Sequence, residues 1–432
     1  MPLNGDFPEI PFARPLIGKG EEEAVLRVLR SGWLTTGRET LALEREFAEF
    51  LSPEKTAPLD AASGPVHCLA VNSATSGLHL ALEACGVGRG DLVLVPSYTF
   101  ASTAEVARYL GAEPVFVDSL PDGFHIDPEA LEATLERLAK GLPAYPARPG
   151  RLKTGGFGPR GRAAAVVPVH YGGLPCDMGA IGAIARRYGL KIVEDAAHSF
   201  PSLIPGGPGS GDPAFAGTLG DAGVFSFYAT KTITTGEGGM VACRDPKLAA
   251  RMALMRSHGI DRSIWNRYTD TRASWYYSVV EAGYKYNLPD LLSALGRVQL
   301  GRSREFLAMR EEIAARYNAA FSGDPHFTVP PDGPGNAWHL YPLRLNPGSL
   351  SVSREDFARK LQERGVGISV HFIPLHTMPC YRNAYALEEG DFPQALRTFS
   401  RTISLPIWQG MSVEMVGRVI SVVKALARQY NS

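Results

Sequence analysis

Two hydrophobic rhythms divide the chain. Between residues 66 and 193, short apolar runs at 66–71, 92–95, 115–117, 164–169 and 191–193 alternate with helical spacing over 76–85, 102–110, 128–140 and 178–188. Strands that are apolar on both faces and separated by helices predict a mostly parallel sheet covered by helices. Two amphipathic helices are expected before it, over 21–30 and 41–51, and two more strand-like runs, 224–228 and 240–243, complete it. A helix over 246–257 then leads to a long helix over 289–321 and a smaller α+β unit. In that unit strands are expected at 338–345 and 368–370, and helices at 354–364 and 413–429. The pattern therefore predicts an α/β chain of two units. A large one with an N-terminal arm spans 1–250, and a smaller α+β one spans 251–432. Two Gly- and Pro-rich stretches, 142–162 and 201–220, interrupt the alternation and read as long loops or insertions.

Composition narrows the class. The 432 residues are 45% hydrophobic and 20% charged, with 44 basic and 44 acidic side chains. The absence of a basic excess argues against nucleic acid or an anionic membrane surface as a partner, local patches aside. The five cysteines (Cys68, Cys85, Cys176, Cys243, Cys380) are scattered and form no CxxC pair, which predicts neither a disulfide framework nor a zinc site. The first residues lack the apolar stretch of a secretory signal, and no run approaches a membrane span, so a cytoplasmic location is expected.

The chemistry gathers where predicted strands end. Lys231 follows the run 224–228 on a turn of small residues containing Gly236, Gly238 and Gly239, with Ser226 upstream. A lysine delivered into such a turn is poorly solvated, and desolvation frees its amine for Schiff-base chemistry; a solvated surface lysine is the plain alternative. Asn72-Ser73-Ala74-Thr75-Ser76-Gly77 joins a strand to a helix start and could cradle a phosphate or simply cap the helix. Glu194, Asp195 and His198 end another strand, where a carboxylate could hold a protonated ring nitrogen or only make an ion pair. Phe100, in Pro96-Ser97-Tyr98-Thr99-Phe100, could stack on a planar cofactor or cover the core. Together, a lysine, a carboxylate, a hydroxyl, a phosphate cradle and an aromatic are what pyridoxal phosphate requires.

The strings SGWLTTG, VNSATSGLHLALEACGVGRGD, VPSYTF, PVHYGGLPCDM, VEDAAHS, FSFYATKTITTGEGGM and GYKYNLPDLLSALGRVQL resemble the DegT/DnrJ/StrS family of nucleotide-sugar aminotransferases, in family order over residues 10–410. The resemblance implies the fold-type-I, aspartate-aminotransferase-like architecture. It implies that Lys231 forms the imine with pyridoxal phosphate, that Asp195 pairs with the pyridine nitrogen, and that His198 lies on the 3-hydroxyl side. Phe100 would stack on the ring, and Ala74, Thr75 and Ser226 would hold the phosphate. Asn287 would reach that phosphate from a second subunit, so a homodimer with shared sites is implied. The substrates would be an amino-acid donor, glutamate in the family, and a nucleotide-linked keto-sugar. His371 and His376, in a stretch similar to the family's HxxPxH, are candidates for the sugar, and a metal role for the pair is not expected because no third ligand is evident. Trp33 and Thr35 could touch substrate or a partner subunit, or could fix the N-terminal arm.

Overall fold

A computed structural model describes residues 9–52, 65–146, 158–204, 213–261 and 277–432. The chain begins with α1 (Lys19–Ser31), α2 (Arg38–Phe50), β1 (His67–Val71), α3 (Ala74–Ala84), β2 (Asp91–Pro96), α4 (Ala101–Tyr109), β3 (Glu113–Val117), α5 (Pro128–Ala139), β4 (Arg162–Val166), α6 (Met178–Tyr188), β5 (Lys191–Asp195), β6 (Leu203–Ile204), β7 (Ala214–Phe215), β8 (Ala222–Ser226), β9 (Gly239–Cys243) and α7 (Pro246–Met255). Seven of these strands form one sheet in the order β1-β9-β8-β5-β4-β2-β3. The pairs among β2, β3, β4, β5 and β8 are parallel, and β9 runs antiparallel to both of its neighbours. Leu92, Val93, Leu94 and Val95 are fully buried, because helices cover both faces of the sheet. Burial of each such side chain contributes about 1.5–3 kcal/mol, which is why these strands read as unbroken apolar runs.

The rest of the chain contains α8 (Asp290–Gly301), α9 (Ser303–Phe321), β10 (Phe327–Thr328), β11 (Tyr341–Leu345), α10 (Arg354–Glu363), α11 (Pro379–Tyr385), α12 (Pro393–Arg401), β12 (Thr402–Leu405) and α13 (Val413–Gln429). Its antiparallel sheet β10-β11-β12 packs with α9, α10 and α13 around Tyr317, Phe357, Leu361, Val419 and Val423. Ile10 joins this core from the N-terminal arm by bridging Val366. Helix α8, although it follows residue 250, lies against α1 and α2.

Three expectations change. The long helix over 289–321 is two helices broken at Arg302, where Gly301 and Ser303 give weak helical support and Glu21 and Glu305 draw the Arg302 side chain aside. The strand expected at 368–370 is a single bridge from Ser369 to Ser404. The strand expected from 338 begins only at Tyr341, since the residues before it are bound elsewhere: Ala337 N–H and Leu340 N–H donate to the carbonyls of Gly173 and Gly172, at 2.9 and 3.0 Å. Gly173 permits that approach, with φ at +105° and a Cβ there falling 2.7 Å from the Trp338 nitrogen. Of the two expected loops, residues 147–157 and 205–212 lie outside the described residues. The described end of the second is pinned, because Glu194 accepts the amides of Gly217, Leu219 and Gly220 at 2.8, 2.6 and 2.6 Å.

Candidate active site

The turn that carries Lys231 is laced to its own strand. Phe227 N–H donates to the Gly238 carbonyl, Thr235 N–H to Phe227, and Lys231 N–H to Tyr228, at 2.9, 3.0 and 2.9 Å. Lys231 Nζ points to His339 Nε2, 3.5 Å away. Burial lowers the pKa of this amine from 10.5 to about 8, with Asp195 opposing the shift and Arg310 adding to it. The amine therefore releases its proton at far lower pH than a surface lysine, as Schiff-base formation requires.

Stability should record that burial. An unfolded chain keeps this proton up to about pH 10.5, whereas the folded, cofactor-free protein loses it near 8. Between those values the unfolded state binds more protons, so stability rises with pH across the window, and the burial cost of roughly 3 kcal/mol is fully present below it. Lys231→Met is expected to be the more stable protein at pH 7 in denaturant unfolding, with its advantage shrinking toward pH 10. An advantage that does not vary with pH would contradict a buried, charge-bearing Lys231.

Asp195 ends β5 and is 5% exposed. Its Oδ2 accepts from Thr103 Oγ1 at 2.8 Å and its Oδ1 from Ala197 N–H at 3.2 Å. Burial pushes its pKa up, and those two donors together with Lys231 pull it down. The neighbouring Glu194 does not face the site. Fully buried, it accepts His170 Nε2–H at 2.9 Å as well as the three amides, and it fixes the loop beside Asp195. His198 Nδ1 accepts Gly172 N–H at 3.3 Å, which leaves its proton on Nε2. Burial holds the His198 pKa well below the usual range, with Lys231 and His371 adding to the effect, so the ring is neutral. Its ring centroid lies 4.4 Å from that of His339 and 5.7 Å from that of Phe372.

The anion end forms where α3 starts. Ala74 and Thr75 carry amides that precede any intrahelical acceptor, while Ser73 Oγ accepts from Ser76 N–H at 3.1 Å. β9 begins against this cap. A Cβ on Gly239 would meet the Ala74 nitrogen at 2.9 Å, so only glycine lets the strand pass so close to the amides. Gly239 pairs in register with Ser226, which ends β8. Asp195 pairs with Val224 on the same strand, two residues before Ser226. The cradle, the carboxylate and the lysine turn therefore lie around adjacent strand ends. Phe100 caps α4 one turn before Thr103 and is 58% exposed, with its ring 5.8 Å from Phe372; it is Tyr98, not Phe100, that fills the core.

Other predicted residues fall differently. His376 is fully buried, with Nδ1 bonded to Ser97 Oγ at 2.6 Å and Nε2 to the Glu389 carbonyl at 3.0 Å. Both nitrogens are used, so His376 fastens its loop and does not face a substrate. His371 bonds Ser404 Oγ through Nδ1 at 2.9 Å, its carbonyl accepts from the hydroxyls of Tyr98 and Tyr171, and its Nε2 makes no hydrogen bond among the described residues. Trp33 and Thr35 belong to a loop tied to the start of α8: Trp33 Nε1 lies 3.4 Å from the Thr36 carbonyl, and Thr35 accepts Asp290 N–H at 3.2 Å. Asp290 in turn caps α2 through the amides of Gly37, Glu39 and Thr40. That packing favours the arm-fixing alternative for both residues. Asn287 bridges Val71 and donates through Nδ2 to Thr36 Oγ1 at 2.6 Å within its own chain. Of the loop at 261–286, residues 262–276 lie outside the described residues.

His339 and Thr103 were missed. His339 was expected inside a strand, and Thr103 sits in an unremarkable helix start; only the fold brings either one to the site. A cation-binding cluster is a different matter: among the described residues no group of three or more His, Cys, Asp or Glu could hold a metal. Nor, among those residues, is any helix long and apolar enough to cross a membrane.

Pyridoxal phosphate fits this donor set. There are open amides and a hydroxyl for the phosphate, a buried carboxylate for the ring nitrogen, a neutral imidazole, and an amine of lowered basicity. Comparison with known proteins agrees. Over 422 residues the chain is 40% identical to the spore coat polysaccharide biosynthesis protein SpsC of Bacillus subtilis, covering 97% of each. It superposes on a Streptococcus pneumoniae protein described as a sugar aminotransferase, in its PLP form, with TM-score 0.79 and 28% identity over 98% of this chain and 99% of that one. Helicobacter pylori PseC, an aminotransferase involved in the biosynthesis of pseudoaminic acid, matches with TM-score 0.80 and 26% identity over 98% and 100%. The DegT/DnrJ/EryC1/StrS aminotransferase family profile matches residues 15–424, and the chain belongs to that family as a pyridoxal-phosphate-dependent, fold-type-I aminotransferase.

Proposed function

We propose that this aminotransferase moves an amino group from an amino acid, glutamate by family resemblance, to a nucleotide-linked keto-sugar, a 4-keto-6-deoxyhexose being the preferred class. The observation that carries the reading is Lys231 itself, a buried amine with pKa about 8 facing His339 across 3.5 Å. Sugar dehydratases related to this family carry histidine in place of that lysine, so a dehydratase does not fit. The names of SpsC and PseC, a spore coat polysaccharide biosynthesis protein and an aminotransferase involved in pseudoaminic acid biosynthesis, support a sugar acceptor and a role in cell-surface polysaccharide or related sugar synthesis.

When bound, the coenzyme supplies an electron sink for the carbanion formed at the donor's α-carbon. Asp195 supports that sink as a buried anion held in place by Thr103 and Ala197. His198 offers its Nε2–H to the 3-hydroxyl side, and Phe100 offers an open ring face. Lys231 Nζ, a buried amine of lowered basicity, would be the base that takes the donor's α-proton and holds it for transfer to the coenzyme. His371 Nε2 is the sugar-side hydrogen-bond candidate that remains. A homodimer with shared sites accounts for the exposed apolar side chains at Tyr228, Tyr277, Val279 and Val280, and the second N–H of Asn287 Nδ2 would serve the partner's phosphate.

The test is a half-reaction. Enzyme carrying the aminated coenzyme is mixed with nucleotide-linked keto-sugars and with cyclitol ketones. Return of the lysine-bound coenzyme's visible band is expected with a keto-sugar. Return only with a cyclitol ketone would make the protein a cyclitol aminotransferase, and no return with any acceptor would favour a regulatory relative.

A further inference from the structure

Arg310 lies on α9, outside the site, and is 1% exposed. No carboxylate pairs with it among the described residues; Nη1 and Nη2 meet neutral acceptors only, and the buried Nε–H has no partner among those residues. Nη1 donates to the carbonyls of Trp338, His339 and Ile407 at 3.1, 3.2 and 2.8 Å, and Nη2 to Gln409 Oε1 at 3.1 Å. Gln409 then donates through Nε2 to the Thr232 carbonyl at 2.5 Å, one residue beyond Lys231. One guanidinium, directly on one side and through Gln409 on the other, thus links two segments 108 residues apart in sequence, one carrying His339 and the other Lys231. An unpaired cation is costly to bury, and a planar fork is the side chain that can span such a set of acceptors.

We infer that Arg310 is a positioning residue for transamination, which sets the separation of the Lys231 amine from His339 through the His339 carbonyl on one side and Gln409 on the other. This inference rests on the assignment of Lys231 as the coenzyme-binding amine. A lysine side chain has four rotatable bonds, so where its amine sits depends on where its backbone is held. The turn's own hydrogen bonds fix its shape and Gln299 on α8 accepts Thr234 N–H at 3.3 Å, while the Gln409 link joins the turn to Arg310 and so to the segment bearing His339. The charged and titratable groups facing Lys231 are Asp195 from β5, Arg310 from α9, and the imidazoles of His198, His339 and His371. Burial and Arg310 both lower the amine's basicity, so loosening the turn should raise it.

Gln409→Leu cuts the link and leaves every charge in place, while Arg310→Lys keeps the charge and loses the fork. Steady-state kinetics of the loaded enzymes are combined with cyanate labelling of Lys231 across pH in the cofactor-free full-length chain, followed by peptide mass spectrometry. For Gln409→Leu, kcat is expected to fall about tenfold or more, with KM for both substrates within about twofold. The apparent pKa of Lys231 should rise from about 8 toward 10.5. Arg310→Lys should move the same way. If Gln409→Leu lowers the melting temperature but keeps both the wild-type rate and the wild-type Lys231 pKa, Arg310 is only structural and the inference fails. A wild-type rate and pKa in Arg310→Lys would mean that charge alone matters, which also overturns it. Should Arg310→Lys not fold, Gln409→Leu decides the matter. An ordinary pKa for Lys231 in the wild-type chain would instead defeat the lysine assignment, a failure distinct from that of the positioning role.

Discussion

Lys231→Ala is expected to lower turnover by about ten-thousandfold or more, since it removes both the coenzyme's attachment and the group that carries the proton. The visible band of the lysine-bound coenzyme should vanish with it. The variant should still fold, because the turn is held by backbone bonds among Phe227, Tyr228, Thr235 and Gly238 that do not involve the Lys231 side chain. A small primary amine added to the assay should restore part of the rate by taking over the proton transfer. Wild-type turnover in the variant would remove Lys231 from the mechanism and, with it, the proposed reaction.

The second large effect is expected at Asp195. Asn keeps the size of the side chain and can still meet Thr103, but it carries no negative charge. In a buried site a lost anion is poorly replaced by water, so kcat should fall about a hundredfold to a thousandfold in Asp195→Asn. KM for the amino donor should change much less, because the charge acts on the developing carbanion and not on donor binding. Rapid-mixing measurement of the first half-reaction separates the two quantities. A variant within about tenfold of wild type in that step would show that the ring nitrogen is not held by Asp195.

The two expectations differ in how they could be read. Lys231 and Asp195 were both visible as residues that follow apolar runs, since a strand buried on both faces has few places for a charge except its end. The cradle at Ala74 and Thr75 was visible for a similar reason, as small and hydroxyl residues opening a helix directly after a strand. His339 was not visible. Its neighbours Trp338, Leu340 and Tyr341 give the run the look of a strand, and the run departs from the sheet only because Gly172 and Gly173 accept its backbone amides. His376 erred the other way: a histidine in a loop looks available, yet Ser97 and Glu389 occupy both of its nitrogens. Arg310 gave no sign at all, being one arginine among several on an amphipathic helix.

Hydrophobic periodicity and turn chemistry, which act over a few residues, were enough to determine the α/β alternation, the ends of most elements and the chemical kinds gathered at the strand ends. Which side chains meet, and how far apart, depended on contacts between residues more than a hundred positions apart: His339 with Lys231, Thr36 with Asn287, and Ser97 with His376. Such contacts are set by the order of strands in the sheet and by the packing of the elements that follow α7, where each backbone carbonyl or buried cation takes whatever partner packing brings within reach. The chain by itself names the reagents, and packing alone decides their distances.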